Sequence, residues 1–143
     1  MKLTLKELLT VTPIINSLMT KTELSPKVFY WLTYTKRKMV GPLEDYDAAR
    51  LRLLADVGAK ENKKTNRFEF EGNQEEVFAS KIDVVLDEDA ETEFKPIAFK
   101  TLIEDKKLGI TPQQVFILDK LVELTDDELE KLMEANDDPG KNS

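Results

Sequence analysis

The side chains here that could do chemistry are carboxylates, amines and aromatic rings, because histidine and cysteine are both absent. Without them there is no imidazole base, no thiolate nucleophile and no His/Cys cage for zinc or a redox metal. The sequence therefore predicts no cofactor and no resident metal. Carboxylates alone can run acid–base chemistry when two are held apart in a cleft with their pKa values pushed apart. The candidates are residues 87–93, with Asp87, Glu88, Asp89, Glu91 and Glu93, and residues 126–130, with Asp126, Asp127, Glu128 and Glu130. Both runs lie beside turn or helix-start signals, so a solvated connector and favourable charge at a helix N-terminus account for them. Asp87-Glu88-Asp89 lacks the glycine and the closing glutamate of a calcium loop. The glycines at 41, 58, 72, 109 and 140 never pair into a phosphate-cradling loop. The expectation is that the protein is not an enzyme.

The most specific chemical feature is residues 27–38, Lys-Val-Phe-Tyr-Trp-Leu-Thr-Tyr-Thr-Lys-Arg-Lys. On a helix, Phe29, Leu32, Lys36 and Met39 share one face, and Lys27, Trp31, Tyr34 and Lys38 share roughly the opposite one. An aromatic pair ringed by lysines suits a partner-contact patch, because Trp and Tyr dominate interface hot spots. It also suits base stacking combined with phosphate contacts. The competing reading packs Trp31 and Tyr34 under the C-terminal helices, with the lysines snorkelling at the rim.

Charge helps to choose among partners. Residues 1–40 carry seven basic and two acidic side chains, a net of +5, while the remainder carries −12 and the whole chain −7. The acidic remainder repels phosphate, which argues against nucleic acid as partner. A protein partner is the expectation. Residues 121–143 hold eight acids and two lysines. The alternative function is that of a small acidic inhibitor, which occludes a basic site on its target or mimics nucleic acid.

The elements that must position these residues are marked mainly by caps. Thr4-Leu5-Lys6-Glu7 has capping-box spacing, and Leu8, Val11, Ile15 and Leu18 follow at helical steps. Pro13 inside this run predicts a kink or a restart. Ser25-Pro26 opens a long helix over residues 26–57, with Gly58 just past its end. Its stripe reads Phe29, Leu32, Lys36, Met39, Leu43, Tyr46, Arg50, Leu53 and Val57, a heptad seam with charges at Lys36 and Arg50. A buried unpaired charge is costly, so the seam predicts that these two meet acids, water or a second copy of the chain. Homo-oligomerisation through the long helix is one such use. Gly41-Pro42 should bend it. The short connection between the two helices makes an antiparallel hairpin over residues 4–57.

Residues 59–66 read as a polar loop, residues 67–71 as a short alternating strand, and residues 94–99 as an edge strand marked by Pro96. Between them Asn73-Gln74-Glu75-Glu76 predicts a capped helix. Thr111-Pro112-Gln113-Gln114 opens a helix carrying Val115, Leu118, Leu121 and Val122. Thr125-Asp126-Asp127-Glu128 opens a last one. The prediction is one domain over residues 1–135, α+β but mainly α. A helical hairpin with a long kinked second helix leads into a small two-stranded sheet and C-terminal helices, with strand-helix-strand-helix order over residues 66–135. Residues 136–143 read as a frayed acidic tail.

This order of parts resembles a group of small, uncharacterised proteins of bacteriophages and prophages. The matching pieces are residues 1–4, the Thr-Pro-Ile-Ile-Asn-Ser-Leu run at 12–18, residues 24–32, Tyr-Asp-Ala-Ala-Arg at 46–50, residues 94–97 and residues 110–118. The chain beyond Thr125 departs from that pattern. The resemblance implies a viral context and a non-enzymatic role, as a virion assembly or accessory component with a phage structural or host protein as partner; in the alternative, the acidic inhibitor's target is a host or anti-phage defence protein. It carries over no functional residue. No run approaches the roughly 20 apolar residues of a membrane span, and the lack of cysteine fits a reducing compartment. The expected location is the host bacterial cytoplasm or the virion, without membrane contact.

Overall fold

The computed structural model describes residues 2–137. The first helix, α1 (Leu5–Met19), begins where Thr4 accepts the Glu7 N–H at 3.2 Å and Glu7 accepts the Thr4 N–H at 3.0 Å. This reciprocal cap satisfies two otherwise orphaned donors and is worth about 1 kcal/mol. Pro13 neither breaks nor restarts α1. The second helix, α2 (Pro26–Asp56), starts on the Ser25 cap with proline at its first position, and runs unbroken through Gly41 and Pro42. It closes in a Schellman turn. Ala59 N–H reaches Leu54 O and Gly58 N–H reaches Ala55 O, both at 3.0 Å, with Gly58 at φ +85°. A side chain at 58 would be strained by that angle and would meet the Gln74 amide.

α1 and α2 pack as a hairpin. The predicted α1 stripe, Leu8, Val11, Ile15 and Leu18, is buried, and Leu5 joins it. The α2 stripe is not the predicted one in its first half. The buried residues are Val28, Trp31, Leu32, Thr35 and Met39, whereas Phe29 is 60% exposed. The two stripes share Leu32 and Met39, but Val28 and Thr35 stand where Phe29 and Lys36 are predicted and Trp31 is added, so the covered face is shifted sideways around the helix.

Two small sheets replace the predicted one. β1 (Lys60–Asn62) and β2 (Arg67–Glu69) form an antiparallel hairpin, with Asn62 opposite Arg67. The segment read as loop therefore supplies the first strand. After α3 (Gln74–Leu86), β3 (Ile97–Ala98) pairs in parallel with β4 (Val122–Glu123), so the two strands read from sequence never meet. Between them lie α4 (Phe99–Glu104), α5 (Pro112–Ile117) and a 3-10 turn over Asp119–Leu121. Val122 is thus strand and not the end of a helix. The last helix, α6 (Asp126–Asp137), has the predicted cap, with Thr125 and Glu128 exchanging hydrogen bonds at 2.9 and 3.2 Å. Asn73 makes no cap bond; instead the Gln74 side chain accepts the Glu71 N–H at 2.7 Å. Of the predicted frayed tail, Asn136 and Asp137 are the end of α6, and residues 138–143 lie outside the described residues.

One core joins the hairpin to the C-terminal half through Leu8, Ile15, Leu32, Leu102, Leu108, Leu118 and Leu121. The chain start is stitched to the segment after α3. Leu5 N–H reaches Glu88 O and Ala90 N–H reaches Leu3 O, both at 2.9 Å, around a bridge between Thr4 and Asp89. Leu54 of α2 and Ile82 of α3 are buried apart from this core.

Candidate functional site

The predicted patch residues start on the first three turns of α2, where helical spacing alone sets their directions. Trp31 lies on the flank of the buried stripe and is only 5% exposed. The reason is the segment just before β3, which crosses over it. The indole N–H donates to the Lys95 carbonyl at 2.8 Å, a contact across 64 positions of sequence. Trp31 is therefore a core residue, and its expected place as a surface anchor is corrected. The alternative reading, with the ring packed and lysines at the rim, holds for this residue.

What faces outward is Tyr30, beside a half-buried Tyr34. Tyr30, which the sequence reading passed over, is 66% exposed. Its ring stacks on Tyr34, with centroids 6.4 Å apart and planes 22° from parallel. The signal was present as an aromatic pair at i and i+4. Lys38 Nζ lies 5.5 Å from the Tyr34 ring centroid, within cation–π range. Lys27, Tyr30, Tyr34, Lys95 and Pro96 border a shallow groove of about 360 Å³ whose floor is Trp31. So Lys27, Tyr34 and Lys38 do come to one surface, Trp31 supports it from below, and Tyr30 and Lys95 join it.

The seam charges are not buried. Lys36 Nζ donates to Asn16 Oδ1 of α1 at 2.5 Å, bridging the hairpin at its edge. Arg50 donates from Nε and Nη2 to Asp47 Oδ1, at 3.3 and 3.0 Å. The shifted stripe puts Thr35 inward where the sequence placed Lys36, so neither charge requires a carboxylate from a second copy. Thr35 is 1% exposed, and its hydroxyl has no hydrogen-bond partner.

The carboxylate runs are used locally. Asp89 Oδ1 accepts the Glu91 N–H at 2.7 Å, closing a turn beside the stitched chain start. Asp126, Asp127 and Glu128 occupy the first turn of α6. Among the described residues, no group of three or more acids is arranged to hold a metal ion, and no helix is long and apolar enough to cross a membrane. The Glu7 carboxyl is perturbed by its neighbours. Burial raises the pKa of Glu7, but the Lys120 ammonium and the Thr4 N–H outweigh it, so the carboxyl stays below its ordinary value. This pair ties the start of α1 to the 3-10 turn. Set against protein-family models, curated proteins and solved structures, the chain matches none of them.

Proposed function

We propose that this chain is a non-enzymatic protein-interaction module of a bacteriophage, which docks an acidic partner surface on the Tyr30–Tyr34 face of α2. The observation that supports it is the tyrosine stack, with Tyr30 exposed and Tyr34 half-buried, held between lysines over a buried tryptophan. Two stacked rings make a rigid apolar contact that loses little side-chain freedom on binding. Soluble monomers seldom leave such a patch in water without a use. Lys27, Lys38 and Lys95 favour carboxylates at the partner's rim and add salt dependence. The viral context, with work as a virion assembly or accessory component, comes from the resemblance of the sequence.

The test is a quantitative pull-down from phage-infected bacteria, with the parent chain and the Tyr30→Ser/Tyr34→Ser variant as baits. A virion or host protein recovered by the parent should be lost with the variant, whose circular dichroism should match the parent's. Recovery should also weaken as salt rises from about 0.05 to about 0.5 M, where the screening length falls several-fold. Equal recovery by both baits, or none above background, defeats the reading.

A further inference from the structure

The far end of the molecule carries a second concavity, independent of the tyrosine face. The last turns of α2, the β1–β2 hairpin and α3 enclose a groove of about 370 Å³. Its floor is Leu54 and Ile82, both buried, and its walls are the rings of Phe68, Phe70 and Phe78. Phe70 and Phe78 hold each other at 5.8 Å between centroids. These rings remain half-buried, so the small core at this end is open on one side.

The polar lining has one sign. Arg50 and Arg67 border the groove, and no carboxylate does, in a chain whose net charge is −7. Arg50 spends Nε and Nη2 on Asp47, leaving Nη1 unengaged. Arg67 has no acidic partner among the described residues. Its position is set by the hairpin turn. Asn66 takes φ +56° and gives its N–H to the Asn62 carbonyl at 2.8 Å, so Arg67 enters β2 directly at the groove's edge. An apolar concavity of a few hundred Å³ with a few convergent polar groups is the usual form of a small-ligand site. A guanidinium presents parallel N–H donors that match a carboxylate in two hydrogen bonds.

We propose that this groove binds a small organic anion with an aromatic body, an aryl carboxylate. Its ring lies among Phe68, Phe70 and Phe78, and its carboxylate meets Arg67 and the free end of Arg50. The aromatic walls supply attraction for the ring, and the arginines decide the sign of the head group.

Indole-3-acetate and tryptamine share a ring and differ in charge, so they separate these two contributions. Titration of isotope-labelled protein, followed by amide and arginine side-chain NMR signals, reads both site and affinity. Indole-3-acetate should give saturable shifts at Arg67, Phe70 and Phe78. Tryptamine should give none. Arg67→Gln should weaken binding about tenfold or more, the loss expected when one charge-assisted pair is removed. Phe78→Leu keeps the floor covered and should also weaken binding, while signals from α1 stay in place as a check on folding. The proposal is overturned by the absence of saturation at about 10 mM probe, where even a dissociation constant of a few millimolar would register. It is equally overturned by equal response to tryptamine, by shifts that map elsewhere, or by an Arg67→Gln chain that binds as well as the parent.

Discussion

Replacing Trp31 by alanine tests the central correction to the α2 surface. In the structure the indole is 5% exposed and its N–H is committed to the Lys95 carbonyl at 2.8 Å. A buried Trp→Ala change costs about 3–5 kcal/mol, from lost transfer energy and an incompletely collapsed cavity. The hydrogen bond accounts for about 1 kcal/mol of that, because Lys95 lies at the surface and its carbonyl can recover a water. Trp31→Phe keeps most of the ring and loses the donor, so it should cost about 1–2 kcal/mol. For a chain of this size each kcal/mol moves Tm by about 4 °C, so the alanine variant should melt about 12–20 °C lower. Urea unfolding followed by circular dichroism reads all three proteins without needing the tryptophan signal. In the parent, Trp31 fluorescence should be blue-shifted and shielded from iodide. A red-shifted, readily quenched emission, or an alanine variant within about 1 kcal/mol of the parent, would refute the burial argument and return Trp31 to the surface.

Thr35→Val should stabilise the protein by about 1 kcal/mol, because it removes a buried hydroxyl without a partner while keeping the side chain's shape; a lower urea midpoint would contradict this. Glu7 has a depressed folded pKa, so its contribution to stability is present above the ordinary carboxylate value of 4.5 and lost as pH falls through the lower folded value. The parent's urea midpoint should therefore drop in that acid window, and Glu7→Gln should flatten the drop; identical pH profiles would exclude the Lys120 pairing. Glu91→Gly should stabilise the protein by about 0.5–1 kcal/mol in urea unfolding, since Glu91 sits at φ +56° and glycine relieves the left-handed strain; a neutral or negative change would show that the Asp89 turn already absorbs it.

What the sequence disclosed about the fold was local. Thr4 with Glu7, Ser25 with Val28, Thr111 with Gln114, and Thr125 with Glu128 each close a cap within four residues, so spacing alone locates the helix starts. The strand pairings are not local. Lys60-Glu61-Asn62 has no strand pattern and becomes one only by facing Arg67–Glu69. Ile97 finds Val122 across α4 and α5. The face of α2 was misread because Phe29 is more apolar than Val28, and threonine at 35 gave no sign of burial. A pattern ranks residues by hydropathy, whereas packing against α1 decides which side is covered. The same holds at the site. Trp31 lies on the border between covered and open faces, and only the later segment at Lys95 settles it. Tyr30 could have been found from its spacing to Tyr34, but its exposure could not.

The stitching of Leu3 and Leu5 to Glu88 and Ala90, together with the pairing of Ile97 with Val122, dictates an order of events during synthesis. The α1–α2 hairpin is synthesised about 60 residues ahead of Leu121, an interval of seconds at roughly 5–20 residues per second. Its apolar face then has nothing to lie against until the segment carrying Leu102 to Leu121 leaves the ribosome. For that interval the nascent chain presents an uncovered hydrophobic surface, and the half-made product is the form most exposed to chaperones and to mispairing with its neighbours on the same message.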